Sequence, residues 1–228
     1  MKNYILLSLM SFLFVACSAG YQDAVVTNNG KDALLNSAGE MTIKDSYDEL
    51  IIYSEDYLKV KVNEKYGLID KNGQLVLKPF YDEIFLPYNG YVKINENGKY
   101  GLLNQTTMNI ELKPIYDSIT EYENNLFIVQ LQGLYGCVKD NLKFVIGPKY
   151  DNVYAFYEGI ARVKTDNKYG FINKECKIIA KPTYEYVSNY LNGYAKVKLN
   201  DKWAHMNSDG KLISDIEYDK IEYFKGKI

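Results

Sequence analysis

Apolar and polar residues alternate along most of this chain. The stretch Leu58-Lys59-Val60-Lys61-Val62 is apolar on one side and basic on the other, the period-2 pattern of a strand with one buried face. The phase recurs: Val26, Val60, Ile94, Val129, Val163 and Val197 form an inward column. Lys59, Lys93, Arg162 and Lys196 form an outward one. A second strand is expected at Leu68-Ile69, Leu102-Leu103, Cys137-Val138, Phe171-Ile172 and His205-Met206. A third carries Leu75 and Leu77, then Ile110 and Leu112, then Ile178 and Ala180. Turns such as Asn95-Glu96-Asn97-Gly98 and Asp70-Lys71-Asn72-Gly73 separate them, with glycine where a positive φ is needed. No window of helical length holds a 3.6-residue period, so helix is expected to be scarce after the N-terminal segment.

The unit recurs six times at a period of about 34 residues. An aromatic–glycine step stands at Tyr66-Gly67, Tyr100-Gly101, Tyr135-Gly136 and Tyr169-Gly170, and becomes Asp32-Ala33 and Trp203-Ala204 at the ends. Pro79, Pro114, Pro148 and Pro182 form a proline column; each should end the third strand or mark a sheet edge, because proline cannot donate to a ladder. Two residues later comes an unbroken tyrosine column, Tyr47, Tyr81, Tyr116, Tyr150, Tyr184 and Tyr218. A carboxylate follows each tyrosine: Asp48, Asp82, Asp117, Asp151, Glu185 and Asp219. A short fourth extended piece ends near Ile84, and one extra residue near Thr106-Thr107 falls where a turn can absorb it.

At these positions the chain resembles the WG-repeat family of bacterial proteins, over nearly all of its length after residue 23. The family's tryptophan is tyrosine in four copies here, and the only Trp precedes Ala204. The resemblance implies a tandem β-repeat protein, often of the bacterial envelope, and brings no catalytic residues with it.

The expected fold is all-β, a single domain over residues 24–228 in which neighbouring copies complete each other's core. The terminal copies lose the Tyr-Gly step and the proline, as the caps of an open array do. An open, twisted stack of β-hairpin units is therefore favoured over the alternative, a six-bladed β-propeller.

The N-terminus is a targeting segment. Lys2 is followed by an apolar run over residues 5–16, typical of a signal sequence. The run ends in Phe14-Val15-Ala16-Cys17-Ser18, which resembles the lipobox of bacterial lipoproteins, with Phe14 where leucine is usual. Residues 1–17 are thus expected to be a signal peptide ending at a lipidated Cys17, and residues 18–23 a short tether. Ser18 resembles an outer-membrane sorting residue. The alternative is cleavage after Ala19 or Gly20, leaving a periplasmic or secreted protein. The 27 Lys and Arg against 29 Asp and Glu give a net charge of −2, and loss of Lys2 makes it −3. Such mild acidity offers no basic stripe for nucleic acid.

The carboxylate column suggests a ladder of cation sites. Each copy offers one column acid where a calcium loop needs several oxygens, so the acids are expected to accept backbone hydrogen bonds in the bend after proline. The tyrosine column is expected to form a buried inter-repeat ladder with hydroxyls tied to backbone. Tyr88, Tyr122, Tyr157 and Tyr190, in the connections after the fourth piece, are the candidate ligand-binding residues. His205, the only histidine, takes a column otherwise apolar and reads as packed. Cys137 reads as a buried hydrophobe, and Cys176, at a turn position held by Gly39, Gly73 and Gly210, as an exposed loop-tip thiol; two unpaired thiols are expected. No phosphate loop, CxxC pair or GxSxG occurs, and no cofactor or metal is called for. Two readings result: an envelope-anchored binding or scaffold module for protein or glycan, and, as alternative, a cell-wall-directed hydrolase using carboxylates outside the consensus.

Overall fold

The structure, a computed structural model, describes residues 23–36, 38–122, 125–139 and 142–222. Among these residues every regular element is a strand, and the strands form six small antiparallel sheets in tandem, none closed into a barrel. The first sheet is β1 (Ala24–Asn28), β2 (Lys31–Leu35) and β3 (Met41–Tyr47). The second is β4 (Glu49–Ile52), β5 (Tyr57–Val62), β6 (Lys65–Asp70) and β7 (Leu75–Tyr81). The third is β8 (Glu83–Ile84), β9 (Tyr91–Glu96), β10 (Lys99–Asn104) and β11 (Ile110–Tyr116). The fourth is β12 (Ser118–Tyr122), β13 (Leu126–Leu131), β14 (Leu134–Lys139) and β15 (Lys143–Tyr150). The fifth is β16 (Asn152–Tyr157), β17 (Ile160–Thr165), β18 (Lys168–Asn173) and β19 (Ile178–Tyr184). The sixth is β20 (Tyr186–Val187), β21 (Tyr194–Leu199) and β22 (Lys202–Asn207). Strands follow one another across each sheet in chain order.

The short fourth piece does not close the sheet of its own copy. Glu83 and Ile84 pair with Asn95 and Ile94, so β8 opens the next sheet. Each sequence repeat therefore straddles two sheets. Among the described residues no such strand precedes β1 in the first sheet. The sixth ends in isolated bridges, Met206 to Leu212 and Trp203 to Tyr218, in place of an outer strand.

Packing follows the alternation. Five buried clusters among the described residues each join two successive sheets. Val60, Ile94, Val129, Val163 and Val197 pack on the preceding sheet, and Leu34, Leu68, Leu102, Cys137 and Phe171 on the following one. The end copies differ in the way an open stack requires. Among the described residues no sheet precedes that of Val26 and none follows that of His205, and both residues are only half-buried. None of the five clusters joins the sixth sheet to the first, so the open arrangement holds over the described residues. The outward basic column meets the next sheet: Lys59 pairs with Glu83, and Lys93 with Glu121 at 2.8 Å.

The proline lies inside an edge strand, since β7, β11, β15 and β19 run through it to the tyrosine. A bulge there sets five residues of β7, Leu77 to Tyr81, against three of β6, Leu68 to Tyr66. The bulge presses backbone onto the column glycine. A Cβ on Gly101 would lie 2.6 Å from the Leu112 carbonyl oxygen and 2.8 Å from the Pro114 nitrogen. The glycine of the aromatic–glycine step thus answers to the proline about a dozen residues later, through close approach rather than positive φ.

One expectation is overturned. Cys137 and Cys176 form a disulfide, with Cα atoms 6.1 Å apart. Both are buried, Cys176 at 2% exposure. The turn position of Cys176 has φ of 55°, and its equivalents in the third and fourth sheets are Met108 and Leu142, at 54° and 56°. All three side chains tuck into the junction with the preceding sheet. Cys137 faces forward into that same junction, so the two thiols meet although one lies on a strand and the other in a turn.

Candidate functional site

The column carboxylates form a clasp between successive sheets. Asp48 accepts the Asn63 backbone N–H at 2.8 Å and a hydrogen bond from Lys31. Asp82 accepts the Asn97 N–H and pairs with Lys65, each at 2.5 Å. Asp117 accepts the Gly133 N–H at 3.0 Å and pairs with Lys99 at 2.5 Å. Asp151 accepts the Asp166 N–H at 2.9 Å, and Glu185 those of Asn200 and Asp201 at 3.1 and 3.2 Å. The donors sit in the turn between the second and third strands of the following sheet, about 15 residues on, rather than in the bend after proline. The lysine hydrogen bonds first, and the turn N–H groups second, hold Asp48, Asp82 and Asp117 below the usual carboxylate range.

The tyrosine column pairs across the sheet with the aromatic of the aromatic–glycine step: Tyr66 with Tyr81, Tyr100 with Tyr116, Tyr135 with Tyr150, Tyr169 with Tyr184. Tyr81, Tyr116 and Tyr150 are buried as expected, but Tyr47 and Tyr184 are only half-buried and Tyr218, at the end of the array, is exposed. The Tyr150 hydroxyl departs from the expected backbone tie: it is buried with no hydrogen-bond partner among the described residues.

The four candidate loop tyrosines do not share one surface. Tyr88 and Tyr157 are exposed, at 42% and 48%. Tyr122 is half-buried and meets Phe156 edge-on at 5.1 Å. Tyr190 is a core residue at 3% exposure, a correction to its reading as a surface group. It meets Phe171 at 4.9 Å, and its hydroxyl donates to the Asn207 carbonyl at 2.8 Å. Tyr53, at the same phase in the second sheet, does likewise with the Phe85 carbonyl. In both, burial pushes the phenol's pKa up. A large aromatic in these connections fills a junction, Tyr53 that between the second and third sheets and Tyr190 that between the fifth and sixth. Cys17 lies outside the described residues, as do all of residues 1–22, on which the expected signal segment and most of the expected tether fall.

A different surface emerges from the packing. Between the fourth and fifth sheets lies an open groove of about 580 Å³, at the outer edge of the stack. It is lined by Lys149 and Tyr150 of β15, by Thr165, Asp166 and Lys168 at the β17–β18 hairpin, and by the edge strand β19. Of the residues picked out in the sequence, the column members Tyr150, Ile178 and Pro182 line it, and none of the four candidate loop tyrosines does. No column announces the groove: Lys149 stands at a position that differs in every copy, with Ser46, Phe80, Ile115, Thr183 and Glu217 elsewhere. Among the described residues no group of three or more His, Cys, Asp or Glu is placed to hold a metal ion.

The profile of the WG containing repeat matches residues 66–100, 100–135, 135–169, 169–203 and 206–228. Each of the first four spans runs from one column aromatic to the next. No curated protein matches the chain. Solved structures with similarity include Hsv2p of Kluyveromyces lactis, 9% identical over 82% of this chain and 71% of that one, with a TM-score of 0.35. PorZ, a surface component of the type-IX secretion system of Porphyromonas gingivalis, is 13% identical over 89% of this chain and 37% of its own, at 0.34. A Bacteroides caccae protein of unknown function is 11% identical over 84% and 92%, at 0.24. Likenesses this distant carry no inference about function.

Proposed function

The chain belongs to the WG containing repeat family, and from that premise we propose that it is an envelope-anchored lipoprotein serving as a binding or scaffold module for a protein or glycan. One observation carries this reading. The polar chemistry repeated from copy to copy is taken up by the stack itself: column acids clasp the next sheet's turn, and their lysines pair with them. Binding then falls to residues that differ between copies, displayed on a rigid support. The Cys137–Cys176 bond supports a site of folding outside the reducing cytosol. Cys17, following Ala16 at the end of the apolar run, supports attachment by acyl chains, and Ser18 supports the outer membrane.

The test is a comparison of native and Cys17→Ala proteins in their own cells. Lipid labelling and membrane fractionation should be lost in the variant, while the native protein, captured with its membrane, should bring down a specific protein or polymer. Unchanged mass and fractionation in Cys17→Ala would refute the anchor. Capture of nothing beyond controls would refute the binding role.

A further inference from the structure

We propose that molecules of this protein join head to tail, residues 219–221 of one adding as an edge strand to β1 of the next. The proposal goes beyond the binding-module reading and does not rest on it. Its template is the junction repeated within the chain. The second to sixth sheets each open with a strand that follows the column acid of the copy before. The pairing is constant: Leu50 lies opposite Val60, Ile84 opposite Ile94, Ile119 opposite Val129, Val153 opposite Val163 and Val187 opposite Val197. The acid joins the ladder too, the Asp48 N–H donating to the Lys61 carbonyl and the Asp82 N–H to that of Asn95, both at 2.9 Å.

The receiving half of this junction is open at the first sheet. Val26 of β1 holds the position of Val60, and no strand lies beside β1 on that side among the described residues. One period before Tyr47-Asp48 stand Leu13 and Phe14, so no acid occupies that phase. The receiving turn is already formed: Asn29 has φ of 50°, and its equivalent Asn63, which gives its N–H to Asp48, has 49°. Val26 and Leu35 are half-buried, whereas their equivalents Val60 and Ile69 are buried between two sheets. An unpaired edge invites strand addition unless charge, proline or a bulge blocks it. The outer strands β7, β11, β15 and β19 carry all three. In β1, Ala24-Val25-Val26-Thr27-Asn28, none of the three occurs.

The giving half stands on the sixth sheet. Lys202 pairs with Asp219 as Lys65 does with Asp82. The Lys196 ammonium donates to the Ile221 carbonyl at 3.2 Å, the contact that Lys59 makes with Ile84 at the same distance. Residues 219–221 are thus held to the sixth sheet as residues 82–84 are to the second. What they lack is a receiving sheet. The Asp219 side chain is 89% exposed, against 41% for Asp82 and 26% for Asp117, whose carboxylates accept a turn N–H. Ile221 is half-buried where Ile84 is buried. One half does not satisfy the other within the chain, since no buried cluster among the described residues joins the sixth sheet to the first. Between two molecules the halves fit: Lys220 lies opposite Thr27 and Ile221 opposite Val26, with the Asp219 carboxylate on the Asn29 N–H. A contact between unlike surfaces repeats from molecule to molecule and builds a row. It is weaker than the internal junctions, because Ala24 replaces Leu58 and His205 replaces Leu68, leaving less apolar surface to bury.

The experiment is oxidative cross-linking of the purified full chain, with sedimentation alongside. Thr27→Cys and Lys220→Cys proteins, mixed, should form a dimer linked 27 to 220. Either variant alone, or Thr27→Cys mixed with Lys71→Cys, should give at least about tenfold less, since bridging needs Cα atoms within about 7 Å. The native protein should sediment as larger species as its concentration rises. Trp203 emission should move to shorter wavelength over the same range, because its equivalent Tyr66 packs into the junction with the following sheet. Ile221→Lys spoils the giving half and Val26→Lys the receiving half, both at half-buried positions. Each should remain monomeric, with thermal unfolding of the dilute protein little changed. Mixed, the two should form dimers and nothing longer, since each keeps one working half. A native chain that stays monomeric at every concentration, a 27–220 link formed within one molecule of the double cysteine variant, or oligomers that persist in Ile221→Lys or Val26→Lys would overturn the proposal.

Discussion

Breaking the Cys137–Cys176 bond should loosen one junction of the stack and leave the others intact. The two residues are 39 apart in the chain, on facing sides of the interface between the fourth and fifth sheets. Closing a loop of that length costs the unfolded chain about 13 cal/mol/K, so the bond stabilises the folded state by about 4 kcal/mol at 25 °C. Cys176 sits at φ of 55°, where a Cβ is disfavoured. Glycine there, as at Gly73 in the second sheet, recovers about 1 kcal/mol. Cys137→Ala/Cys176→Gly should therefore be less stable than the native chain by about 3 kcal/mol in urea. Loss should be local first, because each sheet contacts only its neighbours. Trp203, the single tryptophan, reports on the sixth sheet, while circular dichroism reports on all strands. In the native chain the two transitions should coincide more closely than in the variant. Thiol titration in denaturant, before and after reduction, checks the premise. Free thiols at both positions in the unreduced protein, or an unchanged midpoint in the double variant, would refute the reasoning.

Gly101→Ala should destabilise by about 2 kcal/mol or more, because the new Cβ would overlap the backbone of the Leu112–Pro114 bulge. Gly98→Ala meets nothing within 4 Å and pays only for its φ of 76°, about 1 kcal/mol; equal losses in denaturant titrations would remove the bulge as the reason for the column glycine. The pKa values of Asp48, Asp82 and Asp117 are lowered in the folded chain, so their contribution is complete above the unfolded carboxylate range near about 4 and disappears as pH falls through the folded values. Asp82→Asn should accordingly lower the melting temperature at neutral pH and merge with the native chain in strong acid; a constant difference across pH would contradict the clasp. Tyr190→Phe should cost about 1 kcal/mol through loss of the hydrogen bond to the Asn207 carbonyl, and urea titration showing no loss would mean the hydroxyl is not tied there.

Much of this architecture was legible in the chain because the repeat shows each residue's environment several times over. The alternation at Leu58-Lys59-Val60 set strand and face, and the turns at Asn97-Gly98 and Asp70-Gly73 set where the chain reverses. The altered end columns at Asp32-Ala33 and Trp203-Ala204 announced an open array, and the half-buried Val26 and His205 are its physical counterpart. The extra residue near Thr106 is absorbed in a turn whose Thr106 and Thr107 N–H groups both donate to Asn104.

What the columns could not show is which sheet a residue meets. A repeat pattern records phase within a copy, whereas contacts across a junction depend on the stagger between copies. That stagger moved β8 into the next sheet and turned the column carboxylates toward the following hairpin. It also buried Tyr190, whose position in a connection reads as surface until the fifth sheet is laid against it. Cys176 is the clearest case. In the sequence it occupies a glycine's turn position, which suggests exposure. In space a Cβ at that φ points back at the preceding sheet, and only the stacking of two copies brings it to Cys137. The groove at Lys149, Tyr150 and Lys181 is of the same kind, since its walls come from different copies and no single repeat contains it. Local alternation fixed the strands; the distances between neighbouring copies, set by packing over the whole stack, decided the disulfide, the clasps and the groove.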